Sequence, residues 1–100
     1  MKNKIVAPAV WCSDVYVTCG AGYDHEEIIE KLADGMGVPF NVIDSMAERG
    51  FLTSRGTYVD REKAAHIARK AKQHLVWFDG DDVAILHAHN LWPQVRKNPY

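Results

Sequence analysis

The sequence predicts an α+β protein with an antiparallel sheet built from β-hairpins and two main helices, in the order β-β-α-β-β-α-β-β. Three observations predict this class. Short β-rich runs come in pairs separated by turn residues. Two longer stretches carry apolar side chains at helical spacing. The 100 residues, 47% of them hydrophobic and 25% charged, suit one globular domain over residues 1–100.

The first β-β-α unit is predicted near the N-terminus. Residues 5–11 and 15–18 are β-rich and flank a short polar break, which favours a hairpin. Pro8 cannot donate to a strand ladder, so it is expected at an edge or a bulge. Asp24 opens the first helix, because its carboxylate can accept from first-turn N–H groups. The helix is expected to end at Gly35 and Gly37. Its apolar stripe consists of Ile28, Ile29, Leu32, Ala33 and Met36.

The second β-β-α unit is predicted in the middle of the chain. Residues 50–53 and 57–59 flank a turn that contains Gly56. Asp60 then caps a helix whose buried face is rich in small residues. The members of that face are Ala64, Ala65, Ile67, Ala68, Ala71 and Leu75. Between the two units, residues 39–49 suit a short helix.

Two further strands are predicted at residues 76–78 and 83–86, because both runs are rich in β-branched or aromatic residues. The segment 79–82 between them has the composition of a turn. The apolar run at residues 91–93 is expected to pack against the domain.

The charges are divided between two halves of the chain, although the net charge is only −1. Residues 24–48 carry seven acidic side chains and one lysine, whereas residues 49–72 carry seven basic and two acidic ones. A basic half can hold an anionic ligand, and an acidic half can dock on the basic half of another copy, so a homo-oligomer is expected. The alternative is that both are ordinary solvated helix faces.

Several classes of protein are not favoured. Cys12 and Cys19 are too few for a disulfide scaffold, so reduced thiols that pack in strands are expected. No secretory signal pattern and no stretch long enough to span a bilayer is seen, which favours a cytoplasmic protein without a membrane partner. The small net charge gives no reason to expect a nucleic-acid partner.

No catalytic or metal site meets its spacing requirement. His87 and His89 would share one face of a strand, but zinc needs a third or fourth ligand, and a polar strand end explains the pair as well. Residues 79–82 lack the length of a calcium loop. The cysteines and His25 have no third group to orient the imidazole. The expectation is therefore a protein that is not an enzyme and holds no metal or cofactor.

The segment 50–72 is the best candidate for a binding site. It brings aromatic residues and cations close along the chain, notably Phe51, Tyr58, Arg55 and Arg61. Aromatic rings stack on bases and guanidinium groups pair with phosphates, so this composition suits a nucleotide-derived ligand. The competing interpretation is that the rings belong to the core and the cations face water.

A family resemblance rests on the same segment. Residues 50–68 read GFLTSRGTYVDREKAAHIA, similar to a phage pattern of Gly-Phe-(Val/Leu)-Thr, a turn glycine, (Phe/Tyr)-Val-Asp-Arg-Glu-x-Ala and Ile-Ala. Residues 5–11, 22–29 and 87–92 resemble the opening strand, the Gly-x-Arg-His segment and the closing Leu-Trp segment of that pattern. This pattern resembles the Thoeris anti-defence sponge proteins of phages, and it covers most of the chain.

The resemblance implies a phage immune-evasion protein of the host cytoplasm. It would bind the cyclic ADP-ribose-type signal of bacterial TIR enzymes without degrading it, as a dimer or hexamer with the ligand at subunit contacts. Two departures stand out: Asp24 replaces the arginine before the family's histidine, and residues 87–90 lack its acidic ending. With two further cations from the basic half, the candidate ligand-binding residues are His25, Phe51, Thr53, Arg55, Tyr58, Arg61 and Arg69.

An alternative function is direct binding to a host defence protein. The phage protein would then inhibit an enzyme or effector through an apolar or acidic surface. Trp77, Trp92 and the acidic first helix would be the anchors, because large aromatic residues dominate protein interfaces.

Overall fold

Two β-β-α units follow one another in the computed structural model, which describes residues 3–18 and 20–93. The first unit comprises β1 (Ile5–Cys12), β2 (Val15–Val17) and α1 (His25–Met36). A connecting helix, α2 (Phe40–Met46), confirms the short helix expected there. The second unit comprises β3 (Glu48–Thr53), β4 (Tyr58–Asp60) and α3 (Arg61–Lys70), and a short α4 (Ala88–Leu91) follows.

The four strands form one antiparallel sheet in the order β2-β1-β3-β4. The two hairpins therefore lie side by side, with their first strands paired in the centre. That pairing runs from Ile5 opposite Thr53 to Trp11 opposite Glu48 and is interrupted by a bulge between Ile5 and Ala7. The predicted α+β class with an antiparallel sheet of hairpins is confirmed.

Pro8 lies in a central strand, close to the bulge and beyond the last residue of β2. The Thr18 hydroxyl donates to the Pro8 carbonyl oxygen over 2.6 Å, so this carbonyl points away from β3. The nitrogen and carbonyl of one strand residue point to the same side. The missing N–H of Pro8 therefore removes no bond from the β1–β3 ladder.

The helices of the described chain pack on one face of the sheet, over two core clusters. Phe51 is the centre of the first, which joins the β3–β4 hairpin to α3. The second lies under α1 and α2. The first cluster contains Ile5, Phe51, Val59, Ala64, Ala65, Ala68 and Leu86, and the second Val10, Ile28, Ile29, Ala33 and Ile43. Small alanines let α3 approach the sheet closely, as the sequence predicted.

Both long helices begin at the predicted caps. The Asp24 carboxylate accepts from the Glu27 N–H over 2.8 Å, and the Asp60 carboxylate accepts from the Lys63 N–H over 2.8 Å. Helix α1 runs through Gly35 and ends at Gly37, whose φ of 69° is the left-handed conformation that glycine adopts without strain.

The two strands predicted at residues 76–78 and 83–86 are wrong, since no strand is found within residues 71–93. The backbone there is bonded instead to the residues around α4. The Asn90 side chain donates to the Val76 carbonyl over 2.8 Å, and Asp81 accepts from the Phe78 N–H over 2.9 Å. A turn does occur at residues 79 and 80. Leu91 and Trp92 pack on the first core cluster, as expected.

The outer strands β2 and β4 are only three residues long. Near its start, β1 bonds to a side chain: the Ile5 N–H donates to Gln73 Oε1 over 2.8 Å, and Gln73 Nε2 donates to the Ile5 carbonyl over 2.9 Å. One primary amide thus provides both bonds that a neighbouring strand would give.

Cys12 is a buried strand residue with a free thiol, and Cys19 lies outside the described residues. Within residues 3–18 and 20–93, no helix is long and apolar enough to cross a membrane.

Candidate functional site

An open cleft of about 510 Å³ lies where β3 begins and β4 runs into α3. Its volume is within the range of small-molecule sites. Two short stretches at one end of the β3–β4 hairpin, residues 47–49 and 60–62, provide most of its wall. The lining residues are Ala47, Glu48, Arg49, Asp60, Arg61, Glu62 and Ile85.

Arg61 is the cation that this cleft offers to a ligand. It is the first residue of α3, fixed by the Asp60 cap and by its own carbonyl, which accepts from the Leu86 N–H over 3.0 Å. Arg49 is already paired with Asp44 over 2.8 Å. In the part of the chain that the structure describes, no ion pair or side-chain hydrogen bond engages the Arg61 guanidinium.

The three acidic residues of the cleft differ in what they already contact. Glu48 Oε1 accepts from the Tyr58 hydroxyl over 2.9 Å, and Asp60 caps α3. Burial, together with this bond to Glu48, raises the pKa of Tyr58 well above its usual range, so the hydroxyl remains a donor. The Arg61 charge acts on the same hydroxyl in the opposite direction. Of the predicted residues, Arg61 therefore lines the cleft, and Tyr58 bonds to Glu48 at its wall.

His25 lies deeper in the fold and has a structural contact. It is 7% exposed, and its Nε2 donates to the Gly50 carbonyl over 2.7 Å. Its ring meets Phe51 edge to face, with ring centres 5.0 Å apart. Burial lowers the pKa of His25 to about 4, and the Arg49 and Arg61 charges act in the same direction. The imidazole is therefore neutral at physiological pH.

Phe51 and Thr53 face the interior. Phe51 is completely buried and stacks on Trp92 at 6.5 Å. The Thr53 hydroxyl lies 2.7 Å from that of Thr57 and accepts from the Arg55 N–H over 3.3 Å. Thr53 thus shapes the hairpin turn, and neither residue lines the cleft.

Two predicted cations lie away from the cleft. Arg55 is exposed in the turn at the opposite end of the β3–β4 hairpin. Arg69 is eight residues beyond Arg61 on α3, about 12 Å along the axis. It lies over the Trp77 ring at 5.4 Å and donates to the Val83 carbonyl. The structure therefore does not bring all seven predicted residues together.

On the free face of the sheet, Tyr58 belongs to a group of three rings whose other members, Trp11 and Tyr16, were not predicted from the sequence. Trp11 and Tyr16 are cross-strand partners, and the Tyr58 ring lies 5.4 Å from the Trp11 ring and 6.4 Å from the Tyr16 ring. Trp11 is 37% and Tyr16 39% exposed. Strand alternation could have placed both on one face, but β1 is apolar on both faces, and this conceals the pattern.

A histidine–aspartate cluster holds the C-terminal segment. His89 Nε2 donates to both Asp81 oxygens over 2.9 and 3.0 Å, and Asn90 Nδ2 donates to Asp81 over 3.0 Å. The His87 and His89 rings stack 5.0 Å apart. Burial acts to raise the pKa of Asp81, but its hydrogen bonds outweigh burial and lower it. Among the described residues, no group of three or more metal-ligating side chains is found.

Comparison with known proteins identifies the family but no individual relative. No curated protein and no solved structure matches the chain. The family model described as phage T4 y16D protein matches residues 4–92, which span the sheet, the cleft and the histidine–aspartate cluster. The chain therefore belongs to the phage T4 y16D protein family.

Proposed function

We propose that this phage protein binds a nucleotide-derived immune signal of the cyclic ADP-ribose type in the cleft at Arg61 and sequesters it, in the host cytoplasm, without degrading it. One observation carries the proposal: a guanidinium without an ion pair among the described residues faces a cleft of about 510 Å³ beside Tyr58. The resemblance of residues 50–68 to the Thoeris anti-defence sponge proteins supports the choice of ligand.

The mixed charges of the cleft favour a ligand that carries both phosphate and hydroxyl groups. Arg61 can form two parallel hydrogen bonds to a phosphate. Glu48 and Glu62 are acceptors that suit ribose hydroxyls and repel a bare polyanion. A ribosyl phosphate meets both requirements, whereas a DNA backbone lacks the ribose hydroxyl groups.

We also propose that the ligand is bound in the cleft without being hydrolysed. The lining residues include no thiol, hydroxyl or imidazole. Hydrolysis by paired carboxylates needs two of them beside the scissile bond. Glu48 is engaged by Tyr58, and Asp60 by the first turn of α3. Of the carboxylates that line the cleft, this leaves Glu62 alone for such a reaction. We therefore expect the ligand to be released unchanged.

Association of copies belongs to the same proposal. Because the cleft is open to solvent, a second copy packed over it would slow dissociation, and residence time sets most differences in affinity. Helix α1 carries four acidic residues and one lysine, whereas α3 carries four basic residues and one glutamate, so opposite charges are available for a dimer or hexamer.

The test is calorimetric titration with cyclic ADP-ribose, ADP-ribose and AMP. The variant Arg61→Ala should weaken binding of the preferred ligand about tenfold or more, because it removes charge-assisted hydrogen bonds. Arg55→Ala removes the same charge at the far end of the hairpin and should leave the affinity unchanged. Mass spectrometry after denaturation should recover an intact ligand. A cleaved product with turnover, or equal losses in both variants, would contradict the proposal.

A second candidate function is inhibition of a host defence protein by direct contact. The exposed rings of Trp11 and Tyr16, which lie beside Tyr58, favour it, since aromatic residues anchor protein interfaces. The anchors first suggested are less suitable, because Trp92 packs on Phe51 and Trp77 is covered by Arg69. A thermal-shift screen with the same nucleotides separates the two functions, because only the first predicts a higher melting temperature.

A further inference from the structure

We propose that the free face of the sheet is a docking site for a basic side chain, arginine or lysine, of a protein partner. The site consists of the Trp11, Tyr16 and Tyr58 rings with the Glu48 carboxylate at their edge, and we call it the aromatic face. It does not rest on the proposed nucleotide site, although Glu48 borders both.

The aromatic face is built into the sheet. Residues 7, 9, 11, 16, 48, 50, 52 and 58 alternate with the core residues of their strands and share the face opposite the helices. Ala9 and Gly50 lie on this face, and Ala9 is completely buried. A side chain at Gly50 would collide with the Tyr58 ring, so this ring lies directly against the backbone. The Tyr58 ring therefore has a fixed position, against which the Trp11 and Tyr16 rings lie.

The charges of this face favour a cation. Among the described strand residues on this side of the sheet, only Glu48 and Asp60 are charged, and both are acidic. The faces of aromatic rings are themselves electronegative, and tryptophan and tyrosine attract ammonium and guanidinium groups. A carboxylate at the edge of this group of rings is thus complementary in charge to an arginine or lysine.

The position of Arg61 decides where the cation would lie. Arg61 follows β4, whereas Trp11 and Tyr16 belong to β1 and β2 at the other side of the sheet. An incoming cation is therefore expected over the Trp11 and Tyr16 rings, away from Arg61. A nucleic acid is disfavoured, because its phosphates would lie near Glu48 with no basic side chain on the described strands of this face.

The experiment uses the full chain and the peptide acetyl-Gly-Arg-Arg-Gly-amide, followed by ¹H–¹⁵N NMR. We expect the peptide to shift the Trp11 indole N–H and the Tyr16 amide, and the shift to weaken as salt is added. A peptide with glutamate in place of arginine should shift neither signal. Glu48→Gln and Trp11→Leu should each weaken binding about threefold or more. Glu30→Gln, an exposed acid on α1, is the control and should bind as the wild type does.

Two results would overturn the proposal. One is that Glu48→Gln and Trp11→Leu bind the arginine peptide as well as the wild type does. The other is that AMP or oligothymidylate shifts the same signals at lower concentration than the peptide. Thermal unfolding checks that the variants are folded, and Glu48→Gln alone tests the proposal should Trp11→Leu unfold. Arg61→Ala should keep peptide binding, so failure of the nucleotide site and failure of the aromatic face are distinguishable.

Discussion

At the scale of single residues, Gly50 governs how the aromatic face is assembled. It lies in a central strand, and the Tyr58 ring and the Val59 carbonyl occupy the space that a Cβ would need. Its own carbonyl accepts from His25. The Tyr58 hydroxyl can then reach Glu48 at the start of the same strand. The lack of a side chain at one position thus sets the orientation of a ring and of the acid at the cleft.

The variant Gly50→Ala should lower the free energy of unfolding by about 1 to 3 kcal/mol, because overpacking forces Tyr58 and β4 to move. Gly35→Ala is the matched control. It lies within α1 with open space around it and no positive φ, so alanine should stabilise the protein by up to about 1 kcal/mol. Urea denaturation measures both changes. Equal effects of the two substitutions would show that contact with Tyr58 is unimportant.

Residue types predicted part of the candidate site. Tyr58 and Arg61 were chosen for their chemistry. Arg61 lines the cleft, and the Tyr58 hydroxyl donates to Glu48 at its wall. Phe51 was chosen for the same reason but is buried in the core, because strand alternation directs it to the helix side and Tyr58 to the other. The position of Trp11 beside the other two rings depends on the pairing of β1 with both β2 and β3. Composition carries no information about such long-range pairing.

At the scale of elements, side-chain hydrogen bonds take the place of strand pairing in the segment from residue 72 to residue 92. Asn90 is completely buried, donates to the Val76 carbonyl and to Asp81, and accepts from the His87 N–H over 2.8 Å. These bonds satisfy backbone groups that strands would otherwise pair. The first two hairpins and helices α1, α2 and α3 were predicted correctly because turns, caps and periodicity are local signals. Helix α4 was not predicted, and it replaces the strand end expected at His87 and His89. The two missing strands rested on β-propensity alone, which tertiary contacts override.

The variant Asn90→Ala should cost about 3 kcal/mol of unfolding free energy, since it leaves several buried polar groups without partners. Amide hydrogen exchange should accelerate at Val76 and His87 before it does so in β1. Asn41→Ala, on the exposed side of α2, is the control and should change stability by less than about 0.5 kcal/mol. Unchanged exchange at Val76 in Asn90→Ala would contradict this account.

At the scale of the whole molecule, His25 joins the two core clusters. It begins α1, which covers the second cluster, while its ring contacts Phe51 of the first and its Nε2 bonds to β3. Burial favours the neutral imidazole and outweighs the hydrogen bond to Gly50, which favours the protonated one. Global stability should therefore depend on pH through this residue.

The direction of this pH dependence follows from the lowered pKa of His25. His25 titrates at about 4 in the folded protein and near 6.5 in the unfolded chain, so the unfolded state binds the proton first as pH falls. The contribution of His25 to the free energy of unfolding is fully present above about pH 7. It declines by about 3 kcal/mol between pH 6.5 and 4. Urea denaturation across this range should show the decline, and His25→Gln should flatten it. His87, whose pKa burial also lowers, accounts for a residual slope. If the unfolding free energy of His25→Gln falls with pH as steeply as that of the wild type, His25 is not the source of the pH dependence.

The amide of Gln73 has a consequence for how the protein behaves at high concentration. An open β-strand is a template on which a second chain can build, and the usual result is aggregation. Here the start of the central strand, which β2 does not reach, is bonded to a side chain, and the two outer strands are only three residues long. A single glutamine thus keeps the backbone at this end of the sheet from pairing with another chain, even where the protein is concentrated.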